Sequence, residues 1–63
     1  MSLGRNIRII AYDKNIPLKV LAEEAGVSQA MMTKIVQGKK NPSVAKLVKI
    51  ANKLGVSVDE LIQ

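Results

Sequence analysis

Cysteine and histidine are absent from the 63 residues, and so are tryptophan and phenylalanine. Without cysteine the chain forms no disulfide and no thiolate metal site, and without histidine it lacks the commonest metal ligand and general base. No apolar run approaches the roughly 18 residues that a membrane-spanning helix needs, and membrane-surface helices commonly use Trp or Phe. We therefore expect no cofactor, no metal and no membrane partner.

Acidic residues are missing from one long segment. Between Ala25 and Val58 there is no Asp or Glu, but there are six lysines: Lys34, Lys39, Lys40, Lys46, Lys49 and Lys53. A surface of one sign suits a polyanion, because each lysine placed at a phosphate releases condensed counterions. The alternative is a solvated face that keeps the protein soluble.

The length of the chain limits it to one small core, because a domain of about 60 residues buries only about 60% of its unfolded surface. The N-terminal residues have neither the apolar stretch nor the small-residue cleavage site of a signal peptide. We expect residues 1–63 to form one soluble, cytoplasmic domain, which packing and helix capping stabilise.

Glycine, proline and capping residues divide the chain into five predicted helices. The first runs from about Leu3 to Lys14 and ends at Asn15, which tolerates the left-handed conformation. Its buried residues, spaced i, i+3 and i+4, are Ile7, Ile10 and Ala11. Pro17 opens the second helix as part of its first turn. Three glycines follow apolar segments and end helices: Gly26, Gly38 and Gly55.

The second and third predicted helices lie close together in the sequence. The third begins after the N-cap residue Ser28 and runs through Gln37. A steep crossing through so short a turn requires a small residue and a turn residue that tolerates φ > 0, and Ala22 and Gly26 meet these needs. The residues that point into the wedge are Leu21, Ala25, Val27, Met32 and Ile35. This spacing predicts a helix-turn-helix over about residues 18–37, with an unrelated αα-hairpin as the alternative.

Two serines mark the starts of the last two helices. Ser43 caps a fourth helix, whose predicted buried residues are Val44, Leu47, Ile50, Ala51 and Leu54. Ser57 and Glu60 match the capping box, in which each side chain satisfies the other's backbone amide. The fifth helix, Val58–Ile62, closes the core with Leu61. The predicted fold is therefore all-α, with five short helices around one core.

Two parts of the sequence resemble the phage repressor and Cro-type helix-turn-helix family, also called the XRE family. They are LAEEAGVSQAMMTKIVQGKKNPS and LVKIANKLGVSVDEL. The resemblance covers nearly the whole chain. It implies a repressor-like transcription regulator whose third helix enters the major groove of double-stranded DNA while the second crosses the backbone. It also implies a homodimer on a palindromic operator.

The helical period selects the residues that could read bases. Met32, Ile35 and Val36 point inward, so the opposite face carries Gln29, Ala30, Thr33, Lys34 and Gln37. Glutamine pairs with adenine, lysine donates to guanine, and alanine or the threonine methyl contacts thymine. We assign base reading to Gln29, Ala30, Thr33 and Lys34, although Gln29 in the first turn could meet a phosphate instead.

Other residues are expected at the DNA backbone or between subunits. In relatives the loop after the third helix lies along the phosphates, which assigns phosphate binding to Lys39, Lys40, Asn41 and Ser43. Arg5 and Arg8 either reach a flanking phosphate or are solvated. The resemblance places the dimer contact around Val58 and Leu61.

The sequence departs from the family at three places. Pro17 and Leu18 replace a Ser or Thr and a Gln that contact phosphate, so backbone amides must serve there or the contact is absent. Met31 stands where an aromatic residue is common in the family. The sequence pattern places Met31 and Val20 on the surface. Ala11 and Val36 replace an Arg and a Glu, so packing takes the place of an ion pair.

Two other function classes remain to be weighed. A protein-interaction module could use the same fold without DNA, although the lysine-rich segment argues against it. An enzyme is disfavoured because three of the four serines, Ser28, Ser43 and Ser57, are predicted N-caps. Glu23 and Glu24 diverge by about 100° on a helix and cannot act together. The chain could also be one part of a longer regulator.

Overall fold

The computed structural model describes residues 3–63, and Met1 and Ser2 lie outside them. Within this range there are five α-helices and no strand: α1 Leu3–Asp13, α2 Leu18–Ala25, α3 Gln29–Val36, α4 Val44–Leu54 and α5 Val58–Ile62. The predicted all-α fold is confirmed, and each helix boundary lies within one residue of its expected place. None of these helices has the length and apolar character needed to cross a bilayer.

Serine side chains begin three of the helices, as predicted. The N-caps of α3, α4 and α5 are Ser28, Ser43 and Ser57, whose hydroxyls accept the amides of Met31, Lys46 and Glu60. The Glu60 carboxylate accepts the Ser57 amide at 3.1 Å, which completes the capping box. Each cap satisfies an amide that the helix itself cannot pair and contributes about 1 kcal/mol.

The start of α2 differs from the expectation. Pro17 is the N-cap residue, with φ −63° and ψ 147°, and does not belong to the first helical turn. Its extended ψ angle keeps it outside the helix, and its side chain makes no capping hydrogen bond. Asn15 takes the predicted left-handed conformation at φ 57° and ends the preceding helix.

Apolar residues from all five helices form the core. The buried ones are Ile7, Ala11, Leu21, Ala22, Ala25, Met32, Ile35, Val36, Ile50, Ala51, Leu54 and Leu61. Ile10, Val27 and Leu47 are half-buried at its edge. The predicted burial of Val44 is wrong, since its side chain is 79% exposed. Val44 is the first residue of α4, beside exposed Ser43 and Ala45, and coverage by the core begins only at Leu47 later in the same turn.

Two contacts of α1 fix the helices on either side of it. A Cβ atom on Gly4 would lie 2.5 Å from the Val36 carbonyl oxygen, so the backbones of α1 and α3 approach as closely as glycine allows. The Asn6 amide nitrogen donates to the carbonyls of Leu61 and Gln63, both at 2.8 Å. The first contact sets the position of α3, and the second holds the end of α5 against α1.

Candidate nucleic-acid interface

The helix α3 separates apolar from polar residues on its two sides. Met32, Ile35 and Val36 are buried. All four predicted base-reading residues are exposed, as is Gln37, and together they form the outer face of α3: Gln29, Ala30, Thr33, Lys34 and Gln37. The structure therefore brings the predicted readers together on one accessible helix surface.

One hydrogen bond on this outer face involves the hydroxyl group of Thr33. Its hydroxyl donates to the Gln29 carbonyl at 3.0 Å, one turn earlier in the helix. Because the hydroxyl proton is used along the helix, Thr33 can contact a partner through its methyl group or through its hydroxyl oxygen as an acceptor, but not as a donor. An apolar methyl group on the surface suits the methyl group of thymine.

The turn between α2 and α3 fixes the angle at which the outer face is presented. Gly26 has φ 72°, and its amide donates to the Glu23 carbonyl at 3.2 Å. The Val27 amide donates to the Ala22 carbonyl at 2.9 Å, so the chain reverses within the turn. Ala22 is buried where α2 packs against its neighbours, as the small residue at the crossing should be. The predicted helix-turn-helix geometry is thus present.

The basic loop, residues 38–43, leaves the end of α3 directly. Gly38 has φ 78°, and the Lys39 amide donates to the Lys34 carbonyl at 2.9 Å. Lys39, Lys40, Asn41 and Ser43 are all exposed. The Ser43 hydroxyl accepts the Lys46 amide and keeps its own proton for another acceptor. The predicted phosphate-binding residues therefore continue from the outer face of α3 without an acidic residue between them.

Sequence reasoning missed Lys46, which lies at a hollow between α3 and the start of α4. The hollow has a volume of about 150 Å³; its wall includes the apolar residues Val27, Met31, Ile35 and Pro42. Its rim is polar and basic, formed by Lys40, Asn41, Ser43 and Lys46. Lys46 is half-buried, whereas every other lysine in residues 3–63 is exposed. The available signal was its position three residues after the cap Ser43, where its backbone amide bonds to the Ser43 hydroxyl in the first turn of α4, next to the basic loop.

The hollow also accounts for Met31. Met31 is half-buried instead of exposed, because its side chain forms part of the wall. Val20, which the pattern also placed on the surface, is half-buried. A flexible methionine in the wall lets the hollow adjust its shape to a bound group.

At the start of α2 the side chains of Pro17 and Leu18 offer no hydrogen bond to a phosphate, but Lys19, the second residue of the helix, is exposed. The Val20 and Leu21 amides both donate to the Pro17 carbonyl, at 3.0 and 3.2 Å. A phosphate contact at this point would use the backbone amides of Leu18 and Lys19, which precede the first intrahelical bonds, or the ammonium group of Lys19.

The remaining predicted residues lie elsewhere. Arg5 and Arg8 are exposed on α1, and Arg8 borders a separate hollow with Ile9, Tyr12 and Asp13. Val58 is half-buried, and Leu61 is 0% exposed because the single turn of α5 points it into the core. A second copy cannot touch the Leu61 side chain in this conformation. The exposed apolar residue at this end is Ile62.

Comparison with known proteins finds a helix-turn-helix family and a phage repressor among the proteins similar to this chain. The sequence pattern of the helix-turn-helix family matches residues 5–61. The immunity repressor protein of Bacillus phage phi105 is 29% identical over 62 residues, which are 98% of this chain and 43% of that protein. The chain therefore spans less than half the length of this relative.

Solved structures with the same fold include a bacterial gene regulator and the DNA-binding domain of a phage repressor. The clp gene regulator ClgR from Corynebacterium glutamicum superposes with a TM-score of 0.88 at 32% identity, covering 94% of this chain and 63% of that chain. The DNA-binding domain of the P22 c2 repressor superposes with a TM-score of 0.90, covering 97% of this chain and 80% of that chain. At 23% identity, this second likeness concerns the fold alone. The resemblance seen in the sequence is confirmed.

Proposed function

This chain belongs to the helix-turn-helix family of the repressor and Cro type, and we propose on that basis that it regulates transcription by binding double-stranded DNA. One observation carries the proposal: the exposed outer face of α3 continues into a basic loop with no acidic residue. The surface combines groups that can pair with base edges and cations that can neutralise phosphates.

In the proposed complex, α3 lies in the major groove and α2 crosses the backbone. Gln29 pairs with adenine or meets a phosphate, and Lys34 donates to the acceptors of guanine. Ala30 and the methyl group of Thr33 contact thymine, a role that the Thr33 to Gln29 hydrogen bond supports. In this arrangement Gln37, at the end of the outer face of α3, lies closer to the DNA backbone than to the base edges.

Phosphate contacts hold the domain in place without reading sequence. The proposed set is Lys39, Lys40, Asn41, Ser43 and, from the structure, Lys46. Lys46 is half-buried and lines the same hollow as Lys40 and Asn41 of the basic loop. A lysine restrained in this way loses less conformational entropy on binding than a fully exposed one.

A homodimer on a palindromic operator is the proposed assembly. The α5 end would lie at the two-fold axis, with Val58 and Ile62 providing the apolar surface in place of Leu61. Such a dimer places two copies of α3 one turn of DNA apart, so the half-sites should lie about 34 Å apart.

Selection of bound sequences from random duplexes tests the proposal, because it reports DNA binding, half-site sequence and symmetry together. The expected result is a conserved half-site, repeated as an inverted pair. Titration of the selected duplex at several salt concentrations should show log affinity falling linearly with log salt. Absence of binding to any duplex at low salt would contradict the proposal and favour a protein-interaction module.

A further inference from the structure

The outer side of α1 carries the one aromatic residue of the chain, and that residue is exposed. Tyr12 is 85% exposed, and Ile9, one turn earlier, is 46% exposed. They border a hollow of about 300 Å³, with Arg8 and Asp13 at its ends. Tyrosine supplies a large rigid contact area at low entropic cost and is enriched where proteins meet. We call Arg8, Ile9, Tyr12 and Asp13 the α1 patch.

The two charges of the α1 patch lie on opposite sides of the apolar pair. At about 100° per residue, Arg8 and Asp13 are separated by about 140° around the helix, with Ile9 and Tyr12 between them. Neither charge forms an ion pair within residues 3–63, where the ion pair observed joins Lys53 and Glu24. The patch thus offers one cation and one anion to a partner.

The arrangement is self-complementary, and we propose that two copies of this chain associate through the α1 patch with their α1 helices antiparallel. A two-fold axis midway between residues 10 and 11 places Ile9 of one copy level with Tyr12 of the other. The same axis places Arg8 level with Asp13 of the other copy. A symmetric contact requires that residue i meets j and j meets i, and both pairs satisfy this condition together.

This contact is separate from the dimer proposed above, and it can form in solution without DNA. The wall of the hollow at the α1 patch includes no α5 residue, and Asn6, which bonds to α5, lies six residues before Tyr12, so the α5 end contacts the first half of α1 and not the part that carries Tyr12. One helix face buries less area than the roughly 1,200–2,000 Å² of a stable interface, so association in solution is weak. It becomes effective when DNA holds copies side by side, since tethered partners reach effective concentrations on the order of millimolar.

Sedimentation equilibrium without DNA, from about 10 μM to about 1 mM, tests the inference. The expected result is a concentration-dependent dimer that Tyr12→Ala weakens about tenfold or more and that Tyr12→Phe preserves. Both changes are at an exposed position, so the helical circular dichroism should match that of the wild type. Ile62→Glu, at the α5 end, is the matched control and should leave this association unchanged. A chain that stays monomeric, or a dimer lost in Ile62→Glu but kept in Tyr12→Ala, would overturn the inference.

Charge reversal tests the antiparallel pairing itself. Arg8→Asp and Asp13→Arg each create two repulsive contacts across the axis, and each should weaken association about fivefold. The double variant Arg8→Asp with Asp13→Arg restores both attractive pairs and should recover wild-type association within about twofold. Lys19→Asp, an exposed charge reversal on α2, controls for net charge. If the double variant associates no better than the single ones, Arg8 and Asp13 do not pair and the proposed geometry is wrong.

Discussion

Two regions of the molecule share the core equally but differ completely in charge. Of the twelve buried apolar residues among the described ones, six lie in the acid-free region, residues 26–57, and six lie in the scaffold formed by α1, α2 and α5. The five acidic residues are all in the scaffold: Asp13, Glu23, Glu24, Asp59 and Glu60. Packing therefore does not require the separation of charge. We attribute the separation to the proposed binding of DNA.

The comparison predicts that substitutions in the scaffold change stability, whereas those in the acid-free surface change binding. The scaffold holds α3 through close contacts such as that of Gly4 with Val36, which leave little freedom for adjustment. The outer face of α3 and the basic loop are exposed, so their side chains can be replaced without opening the core.

The largest expected effect is at α5, where adjacent residues have opposite environments. Leu61→Ala should lower the free energy of unfolding by about 2–5 kcal/mol, because it leaves a cavity in the core. Ile62→Ala, at a side chain that is 56% exposed, should change it by less than about 1 kcal/mol. Urea unfolding followed by circular dichroism measures both. Similar losses in the two variants would contradict the assignment of Leu61 to the core.

A second prediction concerns the contact between α1 and α3. Gly4→Ala places a Cβ atom against backbone oxygen, so α1 must move away from α3, at a cost of about 1–3 kcal/mol. The amide NMR signals of Ile35 and Val36 should shift with it. Gly26→Ala is the comparison, because it meets open space but strains the left-handed turn, and it should cost about 1–2 kcal/mol. If Gly4→Ala left these signals in place, Gly4 would not set the position of α3.

The helix boundaries could be predicted because the signals that set them are local. Ser57 and Glu60 are three residues apart, and a capping box depends on nothing beyond that turn. The same holds for Gly26, whose left-handed conformation ends α2. Even Ala11 and Val36, expected to replace an ion pair by packing, are both buried.

What could not be predicted depends on which neighbour covers a residue. Val44 continues the apolar period of α4, yet its side chain at the first position of the helix is 79% exposed, whereas Leu47 in the same turn is half-buried. Lys46 was treated as one lysine of six, although it is half-buried and lines the hollow beside Met31. The burial of these two residues follows from the relative positions of α3 and α4. The spacing of apolar residues along the sequence does not specify those positions.

A third prediction divides the acid-free surface into readers and anchors. Lys34→Ala should lower affinity for the preferred duplex by about 1–3 kcal/mol and relax the preference at one base pair. Lys39→Ala, beyond the end of α3, should weaken all sequences alike and reduce the salt slope by about one unit. Binding of each variant to the preferred duplex, to single-base changes and to random DNA distinguishes them. Equal weakening of every duplex by Lys34→Ala would place Lys34 with the anchors.

The smallest predicted effect is at Lys46, where charge and packing can be separated. Lys46→Met keeps an apolar stem in the hollow but removes the cation, so stability should be unchanged while affinity for every duplex falls about threefold to tenfold. The salt slope should decrease by about one unit, as it does when one phosphate contact is lost. Lys53→Met, a lysine near Glu24 on the far end of α4, removes the same charge away from the basic loop and should change affinity less than twofold. Fluorescence anisotropy at several salt concentrations measures both variants. If the two were equally weakened, net charge alone would explain the effect, and the hollow would have no part in holding DNA.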